Sequence, residues 1–164
     1  MINFAKNRVI LFAKVLLTAL VLAIPYSINA QTFDEVTANY TVEQWEKVAH
    51  YFLESANKGD SDAQDMLGTM YLRGKGVAKN EKRAVYWFQM ASDKGLDTAQ
   101  LHLGLMYANG IGVAVDNQKA YFWFLVASAH GNPEAGNYFN ELQHKITPQQ
   151  RKAIQIAARK WAPK

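Results

Sequence analysis

Apolar residues follow helical spacing along most of the chain after residue 40. Ala63, Leu67 and Tyr71 lie four residues apart, which predicts one apolar stripe along a helix. A second stripe of the same spacing occupies 84–91, and the glycine-rich segment 74–77 separates the two. This pattern predicts a helical hairpin with a glycine turn.

The hairpin pattern recurs after 36 residues. Residues 63–98 align without gaps onto 99–134, and sixteen of the aligned positions are identical. The identical residues of the first copy are Ala63, Gln64, Leu67, Gly68, Met70, Tyr71, Gly74, Gly76, Val77, Ala78, Ala84, Trp87, Phe88, Ala91, Ser92 and Gly95. Unrelated helices would not share such a register, so the chain is predicted to stack similar hairpins.

Glycines within the repeat indicate close packing and tight turns. Gly68 and Gly104 interrupt the first stripe, although glycine in a helix costs about 1 kcal/mol relative to alanine. We therefore expect a neighbouring helix to approach them closely, and we expect positive φ at Gly76 and Gly112. The predicted repeat core comprises Leu67, Gly68, Tyr71, Gly76, Trp87, Leu103, Gly104, Tyr107, Gly112 and Trp123.

Helix ends are marked by capping residues. The predicted N-caps are Asn80 and Asp116 for the second helices, and Ser61, Asp97 and Asn132 for the first helices. Gly59, Gly95 and Gly131 are predicted C-terminal caps. Segments 41–44 and 147–150 open two further helices, which run to about Lys58 and Trp161.

These elements predict an all-α protein, a short right-handed αα-solenoid. Its divisions are 31–62, an N-terminal capping helix region; 63–98 and 99–134, two full repeats; and 135–164, a C-terminal partial repeat with a capping helix.

The repeat resembles a known family. The string 99–107, Ala-Gln-Leu-His-Leu-Gly-Leu-Met-Tyr, is followed by the glycine turn 110–113 and the pair Trp123-Phe124. Together they resemble the Sel-like repeat, a relative of the tetratricopeptide repeat, fully over 63–134 and more weakly over 41–62 and 135–161. The resemblance implies a non-catalytic module that binds proteins. The first copy departs mildly from the pattern, at Asn80-Glu81 and Arg83.

The first thirty residues have a different character. Lys6, Arg8 and Lys14 are their only charges, and ten largely apolar residues follow over 15–24. This order is typical of a secretory signal peptide, 1–30, with cleavage near Ala30 and export to the periplasm. The alternative is a retained anchor, but even the segment from Val9 to Ile24, which contains Lys14, has only sixteen residues, and a spanning helix needs roughly twenty apolar ones.

Charge and cysteine content exclude several functions. Without residues 1–30, the formal net charge falls from +4 to +1, with 15 basic and 14 acidic residues. A chain so balanced lacks the basic field of a nucleic-acid binder. The absence of cysteine excludes disulfides and thiol nucleophiles. We therefore expect a protein or peptide partner, no nucleic acid, and no membrane anchor once the signal is removed.

Only one catalytic motif invites attention, Ser55-Ala56-Asn57-Lys58, which has the Ser-x-x-Lys spacing of penicillin-recognising enzymes. Lys58 recurs as Lys94, however, while Ser55 falls at the stripe position of Ala91. No companion motif is present, and the four histidines share no ligand spacing. We expect no catalytic residue, cofactor or metal. A weak cell-wall or β-lactam hydrolase is carried as an alternative.

Partner contacts are expected where the two copies differ on their first helices. These positions are Asp65, Thr69, Leu72, Arg73, Leu101, His102, Leu105, Ala108 and Asn109. A second candidate is the apolar run 121–126, although we expect Ile154, Ala157 and Trp161 of the last helix to cover it. The preferred function is an adaptor or scaffold. An immunity-type protein that binds an exported toxin is the other alternative.

Overall fold

The computed structural model describes residues 40–164; the predicted signal peptide and residues 31–39 lie outside this range. Residues 40–164 contain helices and no β-strand. In chain order the helices are α1 (Val42–Asn57), α2 (Ser61–Arg73), α3 (Glu81–Asp93), α4 (Asp97–Asn109), α5 (Asn117–Ala129), α6 (Ala135–Leu142), a 3-10 turn (Gln143–Lys145) and α7 (Pro148–Lys160).

From α1 to α6, helices that follow each other along the chain pack against each other, and α7 packs back on α5. The pairs α2–α3 and α4–α5 form the two full hairpins, α1 packs on α2, and α3 packs on α4. The predicted αα-solenoid is confirmed, and the two hairpins lie between capping helices at either end.

The two helices of each hairpin meet at a glycine. A Cβ atom added to Gly68 would lie 2.6 Å from Phe88 Cε1, and one added to Gly104 would lie 2.5 Å from Phe124 Cε1. Because these distances are far below van der Waals contact, only glycine admits the ring. The prediction of close packing at both glycines is confirmed.

The glycine turn of each hairpin contacts the helix that precedes that hairpin in the chain. Gly76 and Gly112 have φ of +69° and +70°, as predicted. A Cβ at Gly76 would lie 2.1 Å from the Trp45 carbonyl oxygen of α1, and one at Gly112 would lie 2.5 Å from the Glu81 carbonyl oxygen of α3. Trp45 precedes Glu81 by 36 residues, so α1 serves as the second helix of an incomplete first hairpin.

Six of the ten predicted repeat-core residues are buried, namely Leu67, Gly68, Tyr71, Leu103, Gly104 and Trp123. Trp87 and Tyr107 are only partly buried, and so are the turn glycines Gly76 and Gly112. Burial therefore differs between the two copies at the tryptophan and tyrosine positions. Trp161 contacts Trp123 at a ring-centroid distance of 6.0 Å, and this additional cover explains why Trp123 is the more deeply buried tryptophan.

Three of the five predicted N-caps are misplaced. The side chains of Asn80 and Asp116 cap α3 and α5 as predicted. The N-cap of α6 is Glu134, two residues after Asn132, although Asn132 Oδ1 accepts hydrogen bonds from the N–H groups of Glu134 and Ala135. Ser61 and Asp97 instead lie inside α2 and α4, because each helix begins one residue earlier. The N-cap of α2 is Asp60, whereas Leu96 stands at that position for α4 and provides no side-chain hydrogen bond.

The last helix covers the apolar run 121–126 on α5. Ile154 packs near Leu125 in one apolar cluster, and Ala158 and Trp161 pack near Phe122 in the other. Cover by α7 is therefore confirmed. The predicted contact of Ala157 is wrong, since this residue is exposed and the next alanine along the helix faces α5.

Replacing Gly104 by alanine should lower stability by about 1–3 kcal/mol, because the added methyl group overpacks against the Phe124 ring. This outcome opposes the gain of about 1 kcal/mol that helix propensity alone predicts. Urea unfolding measures the difference. The matched control is Gly136→Ala, where the nearest atom would be 3.9 Å away and no loss is expected. Equal behaviour of the two variants would contradict the close contact.

Candidate interaction surface

The predicted contact residues lie on α2 and α4, the first helices of the two hairpins. Four of them belong to α2 and five to α4. Asp65 and His102 meet directly, which places the two helix faces side by side. We call the surface formed by Asp65, Thr69, Leu72, Arg73, His102, Leu105, Ala108 and Asn109 the α2–α4 face.

One predicted contact residue does not belong to this face. Leu101 is only 8% exposed and packs with Tyr121 and Phe124 in the core. The prediction that Leu101 contacts a partner is therefore wrong, since it is a core residue. Leu101 is the counterpart of Asp65 in the 36-residue register, and it is apolar because α6 covers this side of α4. The register alone does not reveal that cover.

The remaining positions are half-buried, apart from one. Leu72, Leu105 and Ala108 pack at the edges of the apolar clusters, so they present only part of each side chain. Asn109 is exposed at the end of α4, and its Nδ2 donates a hydrogen bond to the Leu105 carbonyl oxygen at 3.0 Å. The face therefore combines apolar edges with polar groups.

An ion pair joins the two repeats across this face. Asp65 Oδ1 lies 2.8 Å from His102 Nδ1, and Asp65 Oδ2 accepts a hydrogen bond from Thr98 Oγ1 at 3.2 Å. The His102 ring also contacts the Phe88 ring, with 4.8 Å between centroids and 36° between planes. His102 thus contacts both helices of the preceding hairpin.

The pKa of His102 is raised by its surroundings. Burial of the ring lowers the pKa, but the charge of Asp65 and its hydrogen bond act in the opposite direction. Arg73 lowers the pKa and Glu134 raises it. The net effect favours the imidazolium form, which strengthens the contact with Asp65.

A buried glutamine links each first helix to the helix before it. Gln64 Nε2 donates to the Ala56 carbonyl oxygen at 3.0 Å, and Gln100 Nε2 donates to the Ser92 carbonyl oxygen at 3.3 Å. Sequence reasoning counted this residue among the repeat identities but assigned it no role. A polar residue repeated beside an apolar stripe was the available signal, because a buried amide needs a partner.

Ser55, the residue of the possible hydrolase motif, has a structural partner. Its Oγ donates a hydrogen bond to Asp60 Oδ2 at 2.9 Å, and Asp60 Oδ1 in turn caps α2. Lys58 lies beyond the end of α1 in the turn that leads to α2. Ser55 in the last turn of α1 therefore holds the N-cap of α2 through Asp60, and Lys58 belongs to the connection between the two helices.

The histidines lie in separate environments. His130 ends α5, as expected, and its Nδ1 lies 2.9 Å from Gln100 Oε1. Sequence reasoning missed one helical pair, since His50 Nδ1 lies 3.6 Å from Glu54 Oε1 on the exposed side of α1. Across 40–164, no three histidine or acidic side chains form a group that could hold a metal ion.

None of the helices described here is both long and apolar enough to span a bilayer.

The Asp65–His102 pair makes stability depend on pH. Because the folded pKa of His102 is raised, its contribution is fully present below the unfolded value of about 6.5 and is lost as pH rises through the folded pKa. Asp65→Asn should therefore destabilise by up to about 1 kcal/mol at low pH, and by less at high pH. Urea unfolding near pH 5.5 and near pH 8.5 tests this.

His144→Gln, which removes an exposed histidine, is the control and should behave as wild type. A difference between Asp65→Asn and wild type that stays constant with pH would contradict the role of the ion pair.

Comparisons with known proteins agree with this architecture. The Sel1 repeat model matches residues 61–96 and 97–132. No protein with a curated description matches the chain. One similar solved structure is a protective antigen present in uropathogenic Escherichia coli strains, which displays an SLR fold. It is 32% identical with a TM-score of 0.69, and the alignment covers 77% of this chain and 28% of that one.

A second similar structure is a Sel1 repeat protein from Oxalobacter formigenes. It is 39% identical with a TM-score of 0.58, and the alignment covers 60% of this chain and 29% of that one. The present chain thus spans less than a third of either protein. The matched repeats and the shared fold lead to one conclusion: residues 61–132 of this chain are two Sel1 repeats.

Proposed function

We propose that this chain is a non-catalytic scaffold that works outside the cytoplasm and presents its α2–α4 face to a protein or peptide. Sel1 repeat proteins are generally scaffolds for protein–protein interaction, and the fold is typically non-catalytic. The face, the location and the absence of catalysis in this chain are our proposal.

The observation that supports this proposal is that most shared repeat positions are buried, whereas variable positions on the first helices are mostly exposed in part. Residues that the two copies share, such as Leu67, Gly68 and Phe88, are buried and hold the hairpins together. Eight residues at five repeat positions where the copies differ form the partly exposed α2–α4 face. Because the fold does not require one side chain type at these positions, they are available for partner recognition.

The chemistry of the face suits a polypeptide. Half-buried Leu72, Leu105 and Ala108 offer apolar contact, while Asn109 supplies an exposed amide. Protein interfaces combine an apolar centre with polar groups around it in this way. With 15 basic and 14 acidic residues after residue 30, the chain also lacks the charge excess of a nucleic-acid binder.

Site-specific crosslinking tests the face. A photoreactive phenylalanine analogue at Asn109 should crosslink a discrete protein species in intact cells that express the full chain. The same analogue at Lys152, an exposed position on α7, is the matched control and should give none. Crosslinks of equal yield at the two positions, or none at Asn109, would contradict binding through this face.

Export is tested separately with a reporter. Alkaline phosphatase without its own signal should become active when it follows residues 1–40, because that enzyme needs disulfides, which form outside the cytoplasm. Deletion of 15–24 should abolish the activity by removing the apolar run. An inactive intact fusion would be evidence against export. N-terminal sequencing of the exported product then distinguishes cleavage near Ala30 from a retained anchor.

A further inference from the structure

The second helices of the two repeats each carry a pair of adjacent aromatic residues at equivalent positions and in the same arrangement. On α3, the rings of Tyr86 and Trp87 have centroids 5.1 Å apart at 77° between planes. On α5, the rings of Phe122 and Trp123 have centroids 5.1 Å apart at 79°. Both surfaces therefore offer an edge-to-face pair of the same geometry.

On α5 this surface binds a helix. Ala158 and Trp161, three residues apart on and just after α7, pack in the cluster that contains Phe122 and Val126. Val126 is 1% exposed beneath this cover. The aromatic pair of α5 thus works as a receptor for a helix end that carries a small and an aromatic side chain.

On α3 the equivalent surface is open. Tyr86 is 56% exposed and Met90 is 36% exposed, although they occupy the positions of Phe122 and Val126. We call Tyr86, Trp87 and Met90 the α3 outer face. Side chains four apart on a helix share a face, so the exposed pair forms one apolar surface with the edge of Trp87.

The α3 outer face adjoins the contact that the C-terminal segment already makes. Lys164 Nζ lies 3.1 Å from Asp93 Oδ2, and the Lys164 backbone N–H donates to the Asp93 carbonyl oxygen at 2.6 Å. Asp93 follows Met90 by three residues, on the same side of α3. The interface that α7 forms on α5 therefore extends along the molecule as far as the edge of the open surface.

We propose that the α3 outer face binds an amphipathic helix of a partner protein that presents a small residue and an aromatic residue three positions apart. The receptor on α5 supplies the template, since it binds Ala158 and Trp161 with the same aromatic geometry. This partner helix would lie on a different surface from the α2–α4 face. The inference rests on the proposed function only in that both take a polypeptide.

A peptide that copies the template provides the test. A fluorescein-labelled synthetic peptide of residues 147–164 is titrated with the full chain, and its fluorescence anisotropy is followed. Binding is expected with a dissociation constant below about 1 mM, and Trp161→Ala in the peptide should weaken it at least about tenfold. Absence of binding in this range would overturn the proposal.

Variants of the protein locate the peptide. Tyr86→Lys and Met90→Lys should each weaken binding at least about tenfold, because they place a charge on the apolar surface. Val115→Lys is the matched control; Val115 is 60% exposed on the turn of the second repeat, and this change should leave the affinity unaltered. Thermal unfolding confirms that each variant is folded, and Tyr86→Phe should retain binding.

Equal affinity of wild type, Tyr86→Lys and Met90→Lys would show that the peptide binds elsewhere, for example by exchange with α7 on α5, and would also overturn the proposal. Crosslinking at Asn109 reports on the α2–α4 face alone. Failure of the peptide experiment therefore leaves that result intact, and failure of the crosslinking experiment leaves the peptide result intact.

Discussion

The contact between a phenylalanine ring and a helix glycine holds this protein together. The ring of Phe88 lies against Gly68 of its own hairpin and contacts the ring of His102 of the next one. In the second copy, the ring of Phe124 lies against Gly104 and stacks on Tyr138, with 5.2 Å between centroids. Each ring therefore joins the two helices of one repeat and also joins that repeat to its successor.

Close approach at the glycine has consequences for the rest of the fold. It brings α2 against α3, and α4 against α5, near enough for small and aromatic side chains to fill the space between them. The shared glutamines then reach the carbonyl oxygens of the preceding helix. Because a buried amide N–H needs an acceptor, the ring contact and the two amide hydrogen bonds depend on one geometry.

Much of this architecture was predictable from the sequence because it is local and repeated. The repeated residues reveal the register of 36 residues, and glycines at helix and turn positions indicate the close packing at Gly68 and the positive φ of Gly76. The capping of α7 by Thr147 was equally clear, since its Gln150 completes a capping box. Errors at Ser61 and Asp97 amount to one residue in the position of a helix end.

Contacts between distant segments were not predictable in the same way. Repeat periodicity treats Leu101 as the counterpart of Asp65, but α6 covers only the second copy and makes that leucine a core residue. The partial exposure of Trp87 has the same origin, because Trp161 covers only its counterpart. In a short array each repeat has different neighbours, and the pairing of Asp65 with His102 depends on the stacking of two hairpins.

The turn glycines also give the array a direction. Gly76 rests on a carbonyl group of α1, and Gly112 rests on a carbonyl group of α3, so each turn is supported by the helix that precedes its hairpin in the chain. If hairpins fold in order from the N-terminus, the helix that supports each glycine turn is therefore already in place, as a platform for the next hairpin. A fragment that started at α2 would lack that platform, whereas one that stopped after α5 would keep both.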